Sequence, residues 1–203
     1  MELEFKDNKI IFSKEPTKLD NLAIQFSKIL SYFNVKHIFL SGYIPILFGR
    51  NRASEDIDVV CGKISKEVFD KLWIEIHRDF DCIITDDVDN AYNNYLLKKT
   101  AIRFAYKGEF IPNIELKFVK TDLHKTALEN PIIVELNEYK IPISPLEQQI
   151  AYKLYMTSEK DIEDARFLFK LFEEHLNKEK LIEYINILKI DLQTAKGYLG
   201  WSD

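Results

Sequence analysis

Apolar positions along the chain switch between spacings of two and spacings of three to four, which predicts alternating strands and helices. LEFKDNKIIF reads as two short strands joined at Asp7-Asn8, a hairpin turn. Residues 17–33 place Leu19, Leu22, Ile24, Phe26, Ile29, Leu30 and Phe33 at helical spacing, with Thr17 as the N-cap. Residues 35–40 form a short apolar run, hence a buried strand, which Ser41-Gly42 breaks. A short helix over 42–48 and a polar loop from Gly49 follow. Residues 56–61 are the next strand. Residues 65–77 read as a helix with Val68, Phe69, Leu72, Trp73 and Ile76 inward. Residues 82–84 make a weak strand, and 87–97 fit neither period. Residues 101–106 and 114–119 pair as a hairpin across Lys107-Gly108-Glu109.

After Asp122 the pattern changes. A short helix over 123–128 precedes a strand pair, IIVEL and YKIPI, that turns at Asn137-Glu138. From Ser144 onward everything is helical: 145–157, 158–172, 178–188 and a last turn to 199. Pro145 suits the first turn of a helix, with Ser144 as its N-cap. The boundary falls at Ile143, so 1–143 form an α/β domain and 144–203 a helical region packed against it.

The 203 residues suffice for one generous domain. With 46% hydrophobic and 30% charged residues and six Gly and six Pro, the chain is an ordinary globular one without low-complexity linkers. There is no internal repeat and no apolar run of membrane-spanning length. The start, MELEFKDNKIIF, lacks a signal-peptide core, which places the protein in the cytoplasm. Cys61 and Cys82 are then reduced structural thiols. Cys and His are too few and scattered for a zinc site. A net charge of −5 disfavours a broad nucleic-acid footprint but permits a local basic patch.

One stretch calls for chemistry beyond its plainer role as a solvated strand edge. Asp56 and Asp58 flank Ile57 in the strand over 56–61, so both point to one face, where like charges repel. Carboxylates so placed can share Mg²⁺, which takes oxygen ligands and substrate phosphates. Glu115, set between Ile114 and Leu116 in an apolar strand, is the third carboxylate of a two-metal site. Ser41-Gly42, between a strand and a helix, offers backbone N–H groups to a phosphate. Arg50, Arg52 and Ser54 lie just ahead of the aspartates, and Arg52 is the preferred phosphate contact. Plainer roles exist for several of these. Glu115 could pair with Lys117 on the same strand face, and Ser54 could cap a turn. Lys153, on an apolar helix face, either snorkels or reaches a triphosphate. Lys160, Asp161, Glu163 and Asp164 read as a solvated helix N-terminus. The four His are isolated, and Tyr92, Tyr95, Phe104 and Tyr106 read as core aromatics rather than base-stacking ones.

Leu40, Ser41-Gly42, a spacer and Asp56-Ile57-Asp58-Val59 together resemble the signature of polymerase-β-type nucleotidyltransferases. The fuller string SGYIPILFGRNRASEDIDV is similar to AbiEii-type toxin nucleotidyltransferases, with Gly49, Arg50, Arg52 and Ser54 matching the loop before the Asp pair. The tail SPLEQQIAYKLYMTSEKDIEDARFL resembles that family's helical segment at Ser144, Pro145, Lys153, Lys160, Asp161 and Asp164. Two positions depart from the pattern. The small pair is Ser-Gly rather than Gly-Gly or Gly-Ser, and the acidic residue usual after Ser-Pro is either replaced by Leu146 or shifted to Glu147. The resemblance implies an α+β fold: a nucleotidyltransferase-type mixed β-sheet with flanking helices and a C-terminal helical bundle. It also implies Mg²⁺ on the acidic residues and transfer of a nucleoside monophosphate from an NTP, with release of pyrophosphate. The acceptor would be RNA, often a tRNA end, or a protein, and an antitoxin protein would be the partner. A non-catalytic nucleotide- or partner-binding module with the same fold is the alternative.

Overall fold

The computed structural model describes residues 2–201. Nine strands form one mixed sheet: β1 (Glu4–Lys6), β2 (Lys9–Phe12), β3 (His37–Leu40), β4 (Asp56–Cys61), β5 (Phe80–Cys82), β6 (Ile102–Tyr106), β7 (Asn113–Phe118), β8 (Ile132–Leu136) and β9 (Tyr139–Ile143). Their order across the sheet is β1-β2-β8-β9-β3-β4-β7-β6-β5. The late hairpin β8–β9 is thus inserted between β2 and β3, parallel to each at its two outer edges. The hairpin turns form at Asp7 and Asn137, both in the left-handed region that Asp and Asn tolerate.

The α+β fold and most elements follow the hydrophobic pattern. Helix α1 (Lys18–Tyr32) starts at Thr17 in a capping box with Asp20. Asp20 is fully buried yet satisfied: Lys14 Nζ lies 2.9 Å from one carboxylate oxygen and Tyr43 O–H donates to the other at 2.9 Å. Helix α2 (Tyr43–Leu47) is short and buried, and α3 (Lys66–Ile76) is capped by Ser65. The weak strand lies two residues earlier than its apolar run suggests, because Phe80 pairs with Tyr106 and stacks on its ring. The segment without a clear period is helical after all. Helix α4 (Val88–Asn90) widens into a π-helical turn over Ala91–Leu96, and that change of pitch spoils a 3.6-residue pattern.

Helices α5 (Asp122–Glu129), α6 (Leu146–Met156), α7 (Glu159–Phe172), α8 (Lys178–Ile187) and α9 (Leu192–Leu199) complete the chain. Ser144 is not the N-cap of α6; Pro145 occupies that position and makes no side-chain cap bond. Ser144 instead extends the sheet, its N–H donating to Phe39 O at 3.0 Å, and its hydroxyl points to Gln149. One large core lies on the sheet face carrying Ile57, Val59, Ile114 and Leu116, and it is continuous with Ile150, Leu154, Phe169 and Leu181 of the C-terminal helices. The opposite face carries a smaller cluster, where Ala127 of α5 covers Ile38 and Val60. Among the described residues no helix is long and apolar enough to cross a membrane. Both cysteines are free.

Candidate active site

Period two sorts β4 cleanly. Ile57, Val59 and Cys61 enter the large core, which puts Asp56, Asp58 and Val60 on the opposite face. Strand β7 runs parallel to β4 with Asp58 opposite Glu115 and Asp56 opposite Asn113. The three predicted carboxylates therefore share one face of two neighbouring strands. Asp58 and Glu115 are half-sheltered, while Asp56 is exposed.

Each sheltered carboxylate has a cationic partner. Lys117 Nζ lies 2.7 Å from Asp58 Oδ1, and Arg103, cross-strand from Glu115, pairs with it. Glu115 thus pairs with Arg103, not with Lys117. Among the described residues no three Asp, Glu, His or Cys side chains ring a metal position. The donor set is nevertheless chemically suited to Mg²⁺: hard, anionic oxygens on one face, where two cations already answer a demand for positive charge.

The Ser41-Gly42 turn sits at the end of β3, with Leu40 opposite Asp58. Ser41 has φ +64°, a left-handed conformation in which Gly is the usual residue. Gln149 holds it there. Ser41 N–H donates to Gln149 Oε1 at 3.1 Å, and Gln149 Nε2 donates to Ser41 O at 2.7 Å. Gln149 is a site residue that sequence reasoning missed, since a Gln on an apolar helix carries no local signal. Gly42 has an ordinary φ of −67°, so backbone freedom does not explain it. The reason is space: a Cβ there would lie 2.5 Å from Arg52 Nη2.

Arg52 lies across that turn and donates from Nη2 to Gly42 O at 3.0 Å. Its fork also grips Asp164, with Nε to Oδ1 and Nη2 to Oδ2 both at 3.0 Å. Arg50 pairs with Asp164 and Glu163 as well. Lys153, 3% exposed, pairs with Asp161 and lies 2.9 Å from Asp164 Oδ2. The reading of Asp161 and Asp164 as a solvated helix terminus is therefore wrong for both. Asp164 is completely buried and Asp161 nearly so, because three cations from the loop and from α6 converge on them. Burial pulls the Lys153 ammonium below its usual pKa, opposed by its bond to Asp161. Burial and the neighbouring Arg50 lower Arg52, opposed by Asp161 and Asp56. Ser54 takes the plainer role, its hydroxyl donating to Asp56 O at 3.1 Å.

A cavity of about 610 Å³ opens beside this turn. Asp58, Ser41 and Lys153 line it, together with Lys99, Lys117 and Lys120. Asp56, Glu115, Gly42, Arg52 and Ser54 are not in its lining. The cavity is thus lined by four lysines, with acidic residues at Asp58 and Asp161. It is large enough for a nucleotide-sized ligand. Burial, and then Lys117, lower the pKa of His124 at this wall. The remaining histidines are structural. His37 bridges Ser27 and Val35 O, each at 2.8 Å, and His175 stacks on Phe5. Tyr92 and Phe104 are core residues, as their spacing indicates.

The nine-stranded mixed sheet with its flanking helices matches nucleotidyltransferase-type folds. Solved structures agree. An antigenic nucleotidyltransferase-like protein from Paracoccidioides brasiliensis superposes with a TM-score of 0.53 at 15% identity, over 89% of this chain and 90% of that one. ANT(2")-Ia in complex with adenylyl-2"-tobramycin superposes with a TM-score of 0.53 at 12% identity, over 85% of this chain and 98% of that one. At such identities the likeness is one of fold. No protein-family model matches the sequence, and no curated protein matches it.

Proposed function

We propose that the protein is a nucleotidyltransferase that moves a nucleoside monophosphate from an NTP to an acceptor hydroxyl. One observation carries the reading: Asp58 and Glu115 face each other on parallel β4 and β7, beside a phosphate-type turn and a lysine-lined cavity. Two Mg²⁺ ions held by Asp56, Asp58 and Glu115 would neutralise and polarise the triphosphate. The cations of this chain do the rest. Lys117 and Arg103 leave their carboxylates as the substrate arrives, and Lys153 and Lys120 take up phosphate charge from the cavity wall. Arg52 fixes the Ser41-Gly42 turn on which the phosphates rest. The acceptor oxygen attacks the α-phosphorus, the α–β anhydride bond breaks and pyrophosphate leaves. Glu115 receives the hydroxyl proton.

In this reading 1–143 form the catalytic unit, and 144–203 the helical unit that closes over the nucleotide. The AbiEii-like string around the Asp pair supports RNA, such as a tRNA end, or a protein as acceptor. It also supports a toxin role in the cytoplasm, restrained by an antitoxin protein. ANT(2")-Ia, whose structure holds an adenylylated antibiotic, shares the fold and supports the reaction class. The second reading is a non-catalytic binding module. It is favoured by the ion pairs on Asp58 and Glu115 and by the capture of the Ser41 N–H by Gln149.

Incubation of labelled NTPs with cellular RNA and protein separates the two. Wild type should label an acceptor, and Glu115→Gln, which keeps shape and removes charge, should lose several orders of magnitude in rate. Asp58→Asn should abolish the Mg²⁺ dependence of NTP binding in calorimetry. No labelling with any of the four nucleotides leaves only the binding module.

A further inference from the structure

Buried polar atoms in folded proteins nearly always find partners, so an orphan is informative. Gln148, on α6, is 7% exposed and lines the 610 Å³ cavity. Its Nε2 donates to Leu123 O at 3.0 Å, while its Oε1 is buried with no hydrogen-bond partner among the described residues. The bond to Leu123 O also fixes the amide's orientation: a flipped amide would set oxygen against oxygen. The cavity is therefore lined by a side chain with a fixed, unused acceptor. Tyr152 lies one helical turn along α6 and lines the same cavity. An aromatic ring beside an oriented acceptor suits a flat, hydrogen-bonding ligand. The phosphate-binding lysines and Asp58 account for the other end of such a molecule.

We infer that this part of the cavity is the nucleobase subsite: the base packs on Tyr152, and Gln148 Oε1 accepts a hydrogen bond from its exocyclic amino group. The inference rests on the nucleotide reading above and deepens it. It makes the protein selective for bases with an amino group at the purine 6- or pyrimidine 4-position (adenine or cytosine) over those with a carbonyl there. A carbonyl there would face Oε1 and leave both oxygens buried and unpaired.

The test is calorimetric titration with Mg²⁺ of two matched pairs, ATP against ITP and CTP against UTP, each exchanging the amino group for a carbonyl and the adjacent ring nitrogen from acceptor to N–H donor. In at least one pair the amino form should bind about 10- to 100-fold tighter, the span expected for one buried acceptor left unsatisfied. The dimethylamino analogue of the preferred nucleotide, which has no N–H to give, should lose the same factor. Gln148→Leu should bring the ratio within the pair close to one. Equal affinities within both pairs overturn the inference while leaving the nucleotide reading intact. The same holds for an unchanged ratio in Gln148→Leu. If none of these nucleotides binds wild type, the nucleotide reading itself falls. Should Gln148→Leu not fold, the dimethylamino analogue decides on wild type alone.

Discussion

Placing Ser at the second position of the small pair, Gly42→Ser, should damage this protein rather than improve it. Gly42→Ala isolates the reason. The new Cβ would stand 2.5 Å from Arg52 Nη2, 3.5 Å from its Cζ and 3.5 Å from Ser54 Oγ. An arginine tip normally yields at little cost, but this one is pinned by two bonds to a fully buried Asp164 and one to Gly42 O. Displacing it breaks charge-assisted bonds worth about 1.5–3 kcal/mol each, part of which Arg52 recovers in solvent. The net cost is about 2–3 kcal/mol, or a fall in Tm of about 4–12 °C for a chain of this size. Urea unfolding of a double-mutant cycle measures it. On the Arg52→Ala background, Gly42→Ala should cost under about 0.5 kcal/mol, because the obstacle is gone. An equal cost on both backgrounds, or none on wild type, refutes the argument that Arg52 dictates the glycine.

Asp164→Ala removes the carboxylate shared by buried Lys153 and half-buried Arg50 and Arg52 and should cost about 3–5 kcal/mol, read as a lower urea midpoint. Burial holds the His37 imidazole below its ordinary pKa of 6.5, opposed by its bond to Val35 O. The unfolded chain then binds more protons, so stability is full above that value and lost as pH falls below it. Wild type should therefore lose Tm between pH 7 and pH 5 more steeply than His37→Gln, and parallel curves would sink this assignment. Burial pushes the Cys61 thiol up to about 12, so a thiol reagent at pH 8 should modify Cys82 alone in the folded protein and both cysteines after unfolding.

The acid-bearing strand pair was legible because its signal is local. Alternation from Asp56 to Cys61 assigns each side chain to a face, and Glu115 stands out within NIELKF for the same reason. The N-cap at Thr17 and the hairpins at Asp7-Asn8 and Asn137-Glu138 were legible through residue chemistry. What a local pattern cannot carry is pairing across the chain. Asp164 lies 112 residues from Arg52, and in the sequence of its own helix nothing separates it from its acidic neighbours Glu159, Asp161 and Glu163. Gln149 and Gln148 are polar residues on a mostly apolar helix, and their partners Ser41 and Leu123 belong to distant segments. The insertion of β8–β9 into the middle of the sheet is likewise a long-range choice. Either strand alone reads only as half of a hairpin.

That insertion sets a timetable for the newborn chain. Phe12 ends β2, and its parallel neighbour begins only at Ile132. At about 5–20 residues per second, the first hairpin leaves the ribosome roughly 6–24 s before the strand it must join. For that interval its inner edge is an open template for any passing strand. The hairpin meets the exposure with charge, placing Lys6 and Lys9 directly opposite each other beside the turn. When β8 arrives, Glu135 comes within 2.9 Å of Lys9 Nζ, and the residue that had kept strangers away becomes half of an ion pair closing the edge.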